Sequence, residues 1–287
     1  MSEVSRTPAT ERQSWITKRF YPWLVRRLSH AHAQTHILLL SLLLMLASLD
    51  TGLAADDYIH QIMLDGSQAI AGFVRPPLDI FRFCGPRFSP LLVREGIFTW
   101  WDNPSTKLAF MRPVSALTHL VDHALWRDSP WLMHLHCWVW GAVLLFGVRA
   151  LYRELIADRF VATLALALYA LDDARGWFVS WVAARNAVVA TAFSVWALVF
   201  YHRQRNGKSN VGVVLSLLLL SFGLLAGEGA IATYGYIFAS AFFLESGPLA
   251  KRLLRLWPYA LLFVVWRVAY RALDYGVSGS SLYADPQ

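Results

Sequence analysis

The stretch His36–His60, HILLLSLLLMLASLDTGLAADDYIH, decides how the rest of the chain is read. Ile37 to Leu49 is almost entirely Leu, Ile, Met and Ala, and the run extends to Ala55. At about 1.5 Å of rise per residue, a helix of this length crosses a bilayer core of about 30 Å. The adjacent carboxylates Asp56 and Asp57 then emerge where the helix leaves the lipid.

Composition points the same way. Of 287 residues, 56% are hydrophobic and 16% charged, with a mean hydropathy of +0.42. A soluble domain carries about 25% charge. The net charge of +7 comes from basic residues set in the gaps between apolar runs rather than on one stripe, so loop asymmetry explains it and nucleic acid is not an expected partner. The two cysteines, Cys84 and Cys137, make neither a disulfide framework nor a cysteine metal site.

Upstream, residues 1–35 hold Arg6, Arg12, Lys18, Arg19, Arg26 and Arg27, with Trp15, Phe20, Tyr21 and Trp23 among them. This suits a cytoplasmic amphipathic segment on the membrane surface, a disordered basic tail being the other reading. No small-residue cleavage site follows the apolar run, so it reads as a retained anchor.

Downstream, residues 56–130 are too polar to span and read as a long outward loop. Within it, Pro113 to Trp126 has Pro at its start and Val114, Leu117, Leu120, Val121, Ala124 and Leu125 on one face, the pattern of an interfacial amphipathic helix. Further spans are expected at Trp131–Leu151, Phe160–Leu171, Trp177–Tyr201 and Leu256–Tyr270. Val211 to Leu244 is too long for one crossing and divides near Gly227, Glu228 and Gly229. The expected fold is therefore all-α, a polytopic transmembrane helix bundle of about seven spans over residues 36–287. Lys and Arg cluster before the first span and in alternate short gaps (Arg149, Arg153, Arg159; Arg203, Arg205, Lys208; Lys251, Arg252, Arg255), which sets the amino terminus in the cytoplasm.

Ionisable residues at or within spans are costly, so Asp56, Asp57, Arg185, Glu228 and Arg267 are the functional candidates. Asp172 and Asp173 read as solvated acids at a helix end. Glu228, isolated between apolar runs, either pairs with Arg185 or Arg267, Arg185 being favoured, or stays protonated. His119 and His123, four apart, form a weak metal-binding pair without a third ligand. His134 and His136 point to different faces of a helix. No phosphate loop, nucleophile elbow or Cys/His dyad occurs.

Asp56, Asp57 and Tyr58 after the first span, followed by Phe110, Met111, Arg112 and Pro113 leading into an interfacial helix, resemble the start of a GT-C membrane glycosyltransferase. Asp128, Ser129, Pro130 and His134 resemble that superfamily's entry to its second span, and Trp181 to Asn186 its Trp and Arg segment. Glu228 stands where the protein O-mannosyltransferase-like branch has a Lys-Glu pair, although Gly227 replaces the Lys. The resemblance extends to a subgroup of bacterial membrane proteins. It implies an enzyme of the bacterial inner (plasma) membrane that transfers a sugar from a polyisoprenyl-phosphate donor to an unidentified acceptor on the periplasmic face, with inversion. Asp57 or Asp56 would be the general base, and Arg112, Arg185, Glu228 and Arg267 would hold the substrate. A divalent metal ion would stabilise the leaving phosphate if arginine does not. Such enzymes have more spans, so the chain reads as the amino-terminal part of a longer one. A non-catalytic membrane subunit that binds a partner through the 56–130 loop is the alternative, and a transporter is a third.

Overall fold

The computed structural model describes residues 16–65, 75–85, 89–96, 99–101, 103 and 105–280. Arg6, Arg12, Trp15, Pro86 and the closing residues 281–287 lie outside the described residues, as does the side chain of Arg175.

Helix makes up 73% of the molecule. The first helix, α1 (Tyr21–Leu28), has Pro22 in its first turn, Arg26 and Arg27 in its last, and Tyr21 and Trp23 exposed. Helix α2 (Ala33–Met45) is apolar on all sides and tightens into a 3₁₀ turn over Leu46–Asp50. Gly52 and Ala55 both take positive φ, +68° and +46°, and this bend delivers Asp56 to the first turn of α3 (Asp56–Asp65). There the two negative charges sit at the positive end of the helix dipole.

The chain continues through β1 (Arg82–Cys84), α4 (Ser89–Arg94), β2 (Lys107–Ala109) and α5 (Pro113–Trp126). The chain is mostly helical, as expected, with one small addition: β1, β2 and the late β3 (Gly276–Ser278) form an antiparallel sheet in the order β1-β2-β3. Strands of three residues, one of them contributed from far downstream, leave no alternating pattern to read. The segment has its own core, in which Met63, Ile80, Phe81, Cys84, Leu92, Phe110 and Ala116 pack together.

Next come α6 (Pro130–Leu155), α7 (Arg159–Ala170), α8 (Ala174–Ser180), α9 (Arg185–Arg205), α10 (Gly212–Ala226), α11 (Ala232–Ala239), α12 (Leu249–Leu254) and α13 (Trp257–Ala272). Asp158 caps α7 by accepting from the Val161 N–H at 2.9 Å. Helix α9 is the axis of the molecule, packed between α6 and α10. Small buried side chains, Ala190, Ala192, Ser194 and Ala197, let those neighbours approach. Among the described residues, three helical stretches are long and apolar enough to cross a membrane: Ala33–Asp50, Pro130–Leu155 and Val182–Arg205; α7 and α10 are shorter apolar helices.

Two boundaries differ from expectation. The helix predicted from Trp177 is broken at Trp181, whose extended backbone ends α8, and α9 starts only at Arg185 after a 3₁₀ turn at Val182–Ala184. The Val211–Leu244 run does divide after Ala226, but Gly227 is extended (φ −179°), a conformation open to any residue. What Gly227 supplies is space: a Cβ there would meet the Ala190 Cβ at 3.3 Å and the Asn186 carbonyl oxygen at 3.4 Å.

Candidate functional site

Helix α5 is inverted relative to a soluble helix. Leu117, Val121 and Leu125 are exposed, while Ser115, Thr118, His119 and Asp122 are buried. The polar stripe at i, i+3, i+4 and i+7 faces the bundle, and the apolar stripe faces away from it. That stripe was the legible signal for Asp122, which sequence reasoning passed over in favour of the apolar face.

The buried face of α5 receives Arg185. Its guanidinium is fully enclosed and pairs with Asp122, with neither side chain open to solvent. Nε donates to Cys137 Sγ at 3.1 Å, Nη1 to the Thr118 carbonyl at 3.3 Å, and Nη2 to the Met133 carbonyl at 3.3 Å. His136 completes the set. The Trp140 Nε1–H donates to its Nε2 at 3.1 Å, and its Nδ1 lies 2.6 Å from Asp122 Oδ1 and 3.1 Å from Arg185 Nη1. A buried charge pair persists only with this kind of enclosure by further hydrogen bonds.

The expected Arg185–Glu228 pairing is therefore wrong. Glu228 Oε2 accepts from Arg112 Nε at 2.8 Å, and its Oε1 accepts from the Tyr270 hydroxyl at 3.3 Å. The Arg112 guanidinium also lies over the Phe110 and Phe81 rings, 4.2 and 5.3 Å from their centroids. Both charges remain partly open, with side chains 16% and 23% accessible. Helix α5 comes between, bringing Asp122 to one arginine and presenting Arg112 from its own N-terminus to Glu228. Asn186, oriented so that both halves of its amide are satisfied, accepts from Arg112 Nη1 at 3.1 Å and donates to the Ala183 carbonyl at 3.1 Å.

The same Ala183 holds Asp57. Its N–H donates to Asp57 Oδ1 at 2.5 Å, and the Ala54 N–H donates to Oδ2 at 2.8 Å. Asp57 is buried, and burial pushes its carboxyl above the usual range while the two backbone bonds pull it back. Asp56 is half-buried, is also raised by burial, and has no partner among the described residues. Of the two acids, Asp57 pins the start of α3 to the α8–α9 junction, while the Asp56 oxygens are uncommitted among the described residues.

Beside Asp57 lies a cavity of about 20 Å³ lined by His60, Gln61, His119, Asp122 and His123, enough for about one water. His60 sits edge-on to His119 and Phe81, with ring centroids 4.9 and 4.8 Å away. Both imidazoles are buried; burial, then the nearby Arg112 and Arg185, pushes His60 down to about 3, and burial likewise pushes His119 well down. His123 is drawn away to Asp65, with Nε2 3.0 Å from Oδ1, so the His119–His123 pair is split between two networks. Among the described residues no three His, Cys, Asp or Glu side chains converge to hold a metal ion. Asp56 alone supplies too few oxygens for a hard divalent cation.

Arg267 lies 5.9 Å from the Tyr270 ring and makes no ion pair among the described residues. Next to this cluster an apolar groove of about 530 Å³ runs between α10 and α13, walled by Leu224, Leu225, Leu262, Val265 and Trp266 and closed by Met111 and Pro113 on either side of Arg112. No family model, curated protein or solved structure matches this chain.

Proposed function

We propose that the chain is a GT-C-like glycosyltransferase of the bacterial inner membrane, polytopic with about seven spans and a cytoplasmic amino terminus, using a polyisoprenyl-phosphate sugar on the outer face. The observation that carries this reading is an apolar groove of about 530 Å³ whose wall includes Met111 and Pro113, the chain neighbours of Arg112, and Trp266, the neighbour of Arg267. The inverted face of α5, with Leu117, Val121 and Leu125 turned outward, suits a helix lying in the interface.

In this reading the isoprenoid tail lies between α10 and α13, and the phosphate meets Arg112 and Arg267. Arg185 is not a substrate ligand, since it is enclosed and paired with Asp122. The acceptor hydroxyl oxygen attacks the anomeric carbon, the bond from that carbon to the phosphate oxygen breaks, and polyisoprenyl phosphate leaves with the electron pair. Asp56 takes the hydroxyl proton; its free oxygens and raised carboxyl suit a base better than the committed oxygens of Asp57. One displacement inverts the sugar carbon. No step is routed through a metal ion.

The exposed pair Trp100 and Trp101, 82% and 68% accessible, favours a second reading, a non-catalytic membrane subunit that docks a partner there. Proteoliposomes of the full chain, supplied with radiolabelled hexosyl polyisoprenyl phosphates, separate the two. Donor consumption that disappears in Asp56→Asn supports the enzyme. Donor that is neither bound nor consumed by wild type overturns it in favour of the subunit.

A further inference from the structure

The C-terminal end of α9 lies about 30 Å from Arg185, at the far end of the bundle from the carboxylate site. There a cleft of about 410 Å³ opens, lined by Glu154, His202, Arg205, Ser240, Glu245 and Arg255. Its volume falls in the range of small-molecule sites, about 300–1,000 Å³.

Both acids in the cleft are already neutralised. Glu154 pairs with Lys208 at 2.7 Å and Arg203 at 3.3 Å. Glu245 pairs with Arg205 Nε at 3.1 Å, accepts from the Tyr201 hydroxyl at 2.5 Å, and has its carbonyl oxygen bound by Arg252. Arg205 and Arg255 line the cleft, and with Arg203, Lys208 and Arg252 bound to its two acids from outside the lining, five cations stand against two carboxylates in this neighbourhood.

The Ser240 hydroxyl is a donor left unused among the described residues, and Arg205, though ion-paired to Glu245 through Nε, is not hydrogen-bonded to it in line. Ser240 is 4% exposed and lines the cleft; the Arg252 Nε–H has no aligned acceptor among the described residues. Arg255 is exposed and makes no ion pair among the described residues. A buried hydroxyl without a partner is costly, and an oxyanion would satisfy it. Leu244 lines the cleft and is more than half exposed, as are its chain neighbour Phe243 and, flanking Arg255 in the chain, Leu254 and Trp257, which gives the cleft an apolar rim.

We propose that this cleft is a binding site for a phosphate oxyanion, gripped by Arg205, Arg255 and the Ser240 hydroxyl, with the apolar rim positioned to hold the acyl chains when the phosphate belongs to an anionic phospholipid. Cationic pockets at the ends of membrane helices bind headgroups in this way. The site is independent of the sugar-transfer reading: it shares no residue with the Asp56, Arg112 and groove cluster, so either can fail alone.

The test uses the purified full chain in zwitterionic detergent-lipid micelles, titrated with phosphatidylglycerol, with cardiolipin, with phosphatidylcholine as the uncharged reference, and separately with inorganic phosphate, reading thermal stabilisation and retained lipid. Phosphatidylglycerol or cardiolipin should stabilise the protein where phosphatidylcholine does not, and Arg255→Ala with Ser240→Ala should weaken that affinity about tenfold or more, the loss of charge-assisted hydrogen bonds. Arg255 alone is exposed, so the single variant Arg255→Ala preserves the fold and should weaken binding in the same direction; Arg94→Ala, a distant exposed arginine, should not. Inorganic phosphate stabilising the wild type but not Arg255→Ala would assign the site to a soluble phosphate. No phosphate-bearing probe outperforming phosphatidylcholine, or equal affinity in wild type and Arg255→Ala, would overturn the site.

Discussion

Arg185 is clamped on the carboxylate of Asp122, 63 residues earlier in the chain, with neither side chain reached by solvent. This pair locks the buried face of α5 to the first turn of α9, and both candidate arginine sites are arranged around it. Removing one partner strands a buried charge, at a cost of about 3–5 kcal/mol. Asp122→Asn should therefore lower the unfolding midpoint sharply in detergent. Glu228→Gln, whose ion pair is partly open, should cost only about 1 kcal/mol. The swap Glu228→Arg with Arg185→Glu should rescue nothing, and a recovered melt in that double variant would disprove the pairing seen here.

Asp56 and Asp57 should separate by phenotype. Asp56→Asn should leave the melt within about 0.5 kcal/mol of wild type and reduce turnover about 100-fold or more. Asp57→Asn replaces one acceptor oxygen with a donor facing a backbone N–H, so it should destabilise the α3 start by about 1–3 kcal/mol. Thermal melts alongside transfer rates decide it; an Asp56→Asn protein with full turnover, or an Asp57→Asn protein with an unchanged melt, contradicts the division of roles.

Acid should unfold the protein through His60. Its native pKa of about 3 lies below the ordinary 6.5. As pH falls below 6.5 the unfolded chain takes up the proton first, so stability is lost from there down to about 3 and is level above 6.5. The full loss approaches about 4–5 kcal/mol for this one residue. His119, lowered in the same direction, adds to it. His60→Leu should flatten the acid limb between pH 6.5 and 3 in denaturation experiments, and an unaltered limb would remove His60 as its cause.

Gly212 marks the tightest approach of α9 and α10. A Cβ there would sit 2.7 Å from the Phe200 carbonyl oxygen and 2.7 Å from the Gln204 Cβ, atoms that move only with the backbone. Gly212→Ala should cost about 1–3 kcal/mol. Gly229→Ala, with nothing within 4 Å, should stay within about 0.5 kcal/mol. Equal melts for the two would show that the interface relaxes freely.

Local composition alone determined the helical class, the apolar runs that become the helices at Ala33–Asp50, Pro130–Leu155 and Val182–Arg205, though not their ends, and the break after Ala226. Hydrophobic run length is a property of neighbouring residues, so it is written in the chain. The candidate residues Asp56, Asp57, Arg185 and Glu228 were legible for a related reason: a charge inside or beside an apolar run stands out wherever it ends up. Their partners were not. Arg185 found Asp122 rather than Glu228 because α5 turns its polar stripe inward, and Glu228 found Arg112 because the same helix begins beside it. Asp57 proved to be held by the Ala183 N–H, a backbone group that carries no mark in any sequence. The sheet, too, needed β3 to return from residue 276 to a strand at residue 107. Ion pairing and strand pairing depend on which elements lie side by side, and only the tertiary packing around α9 decides that.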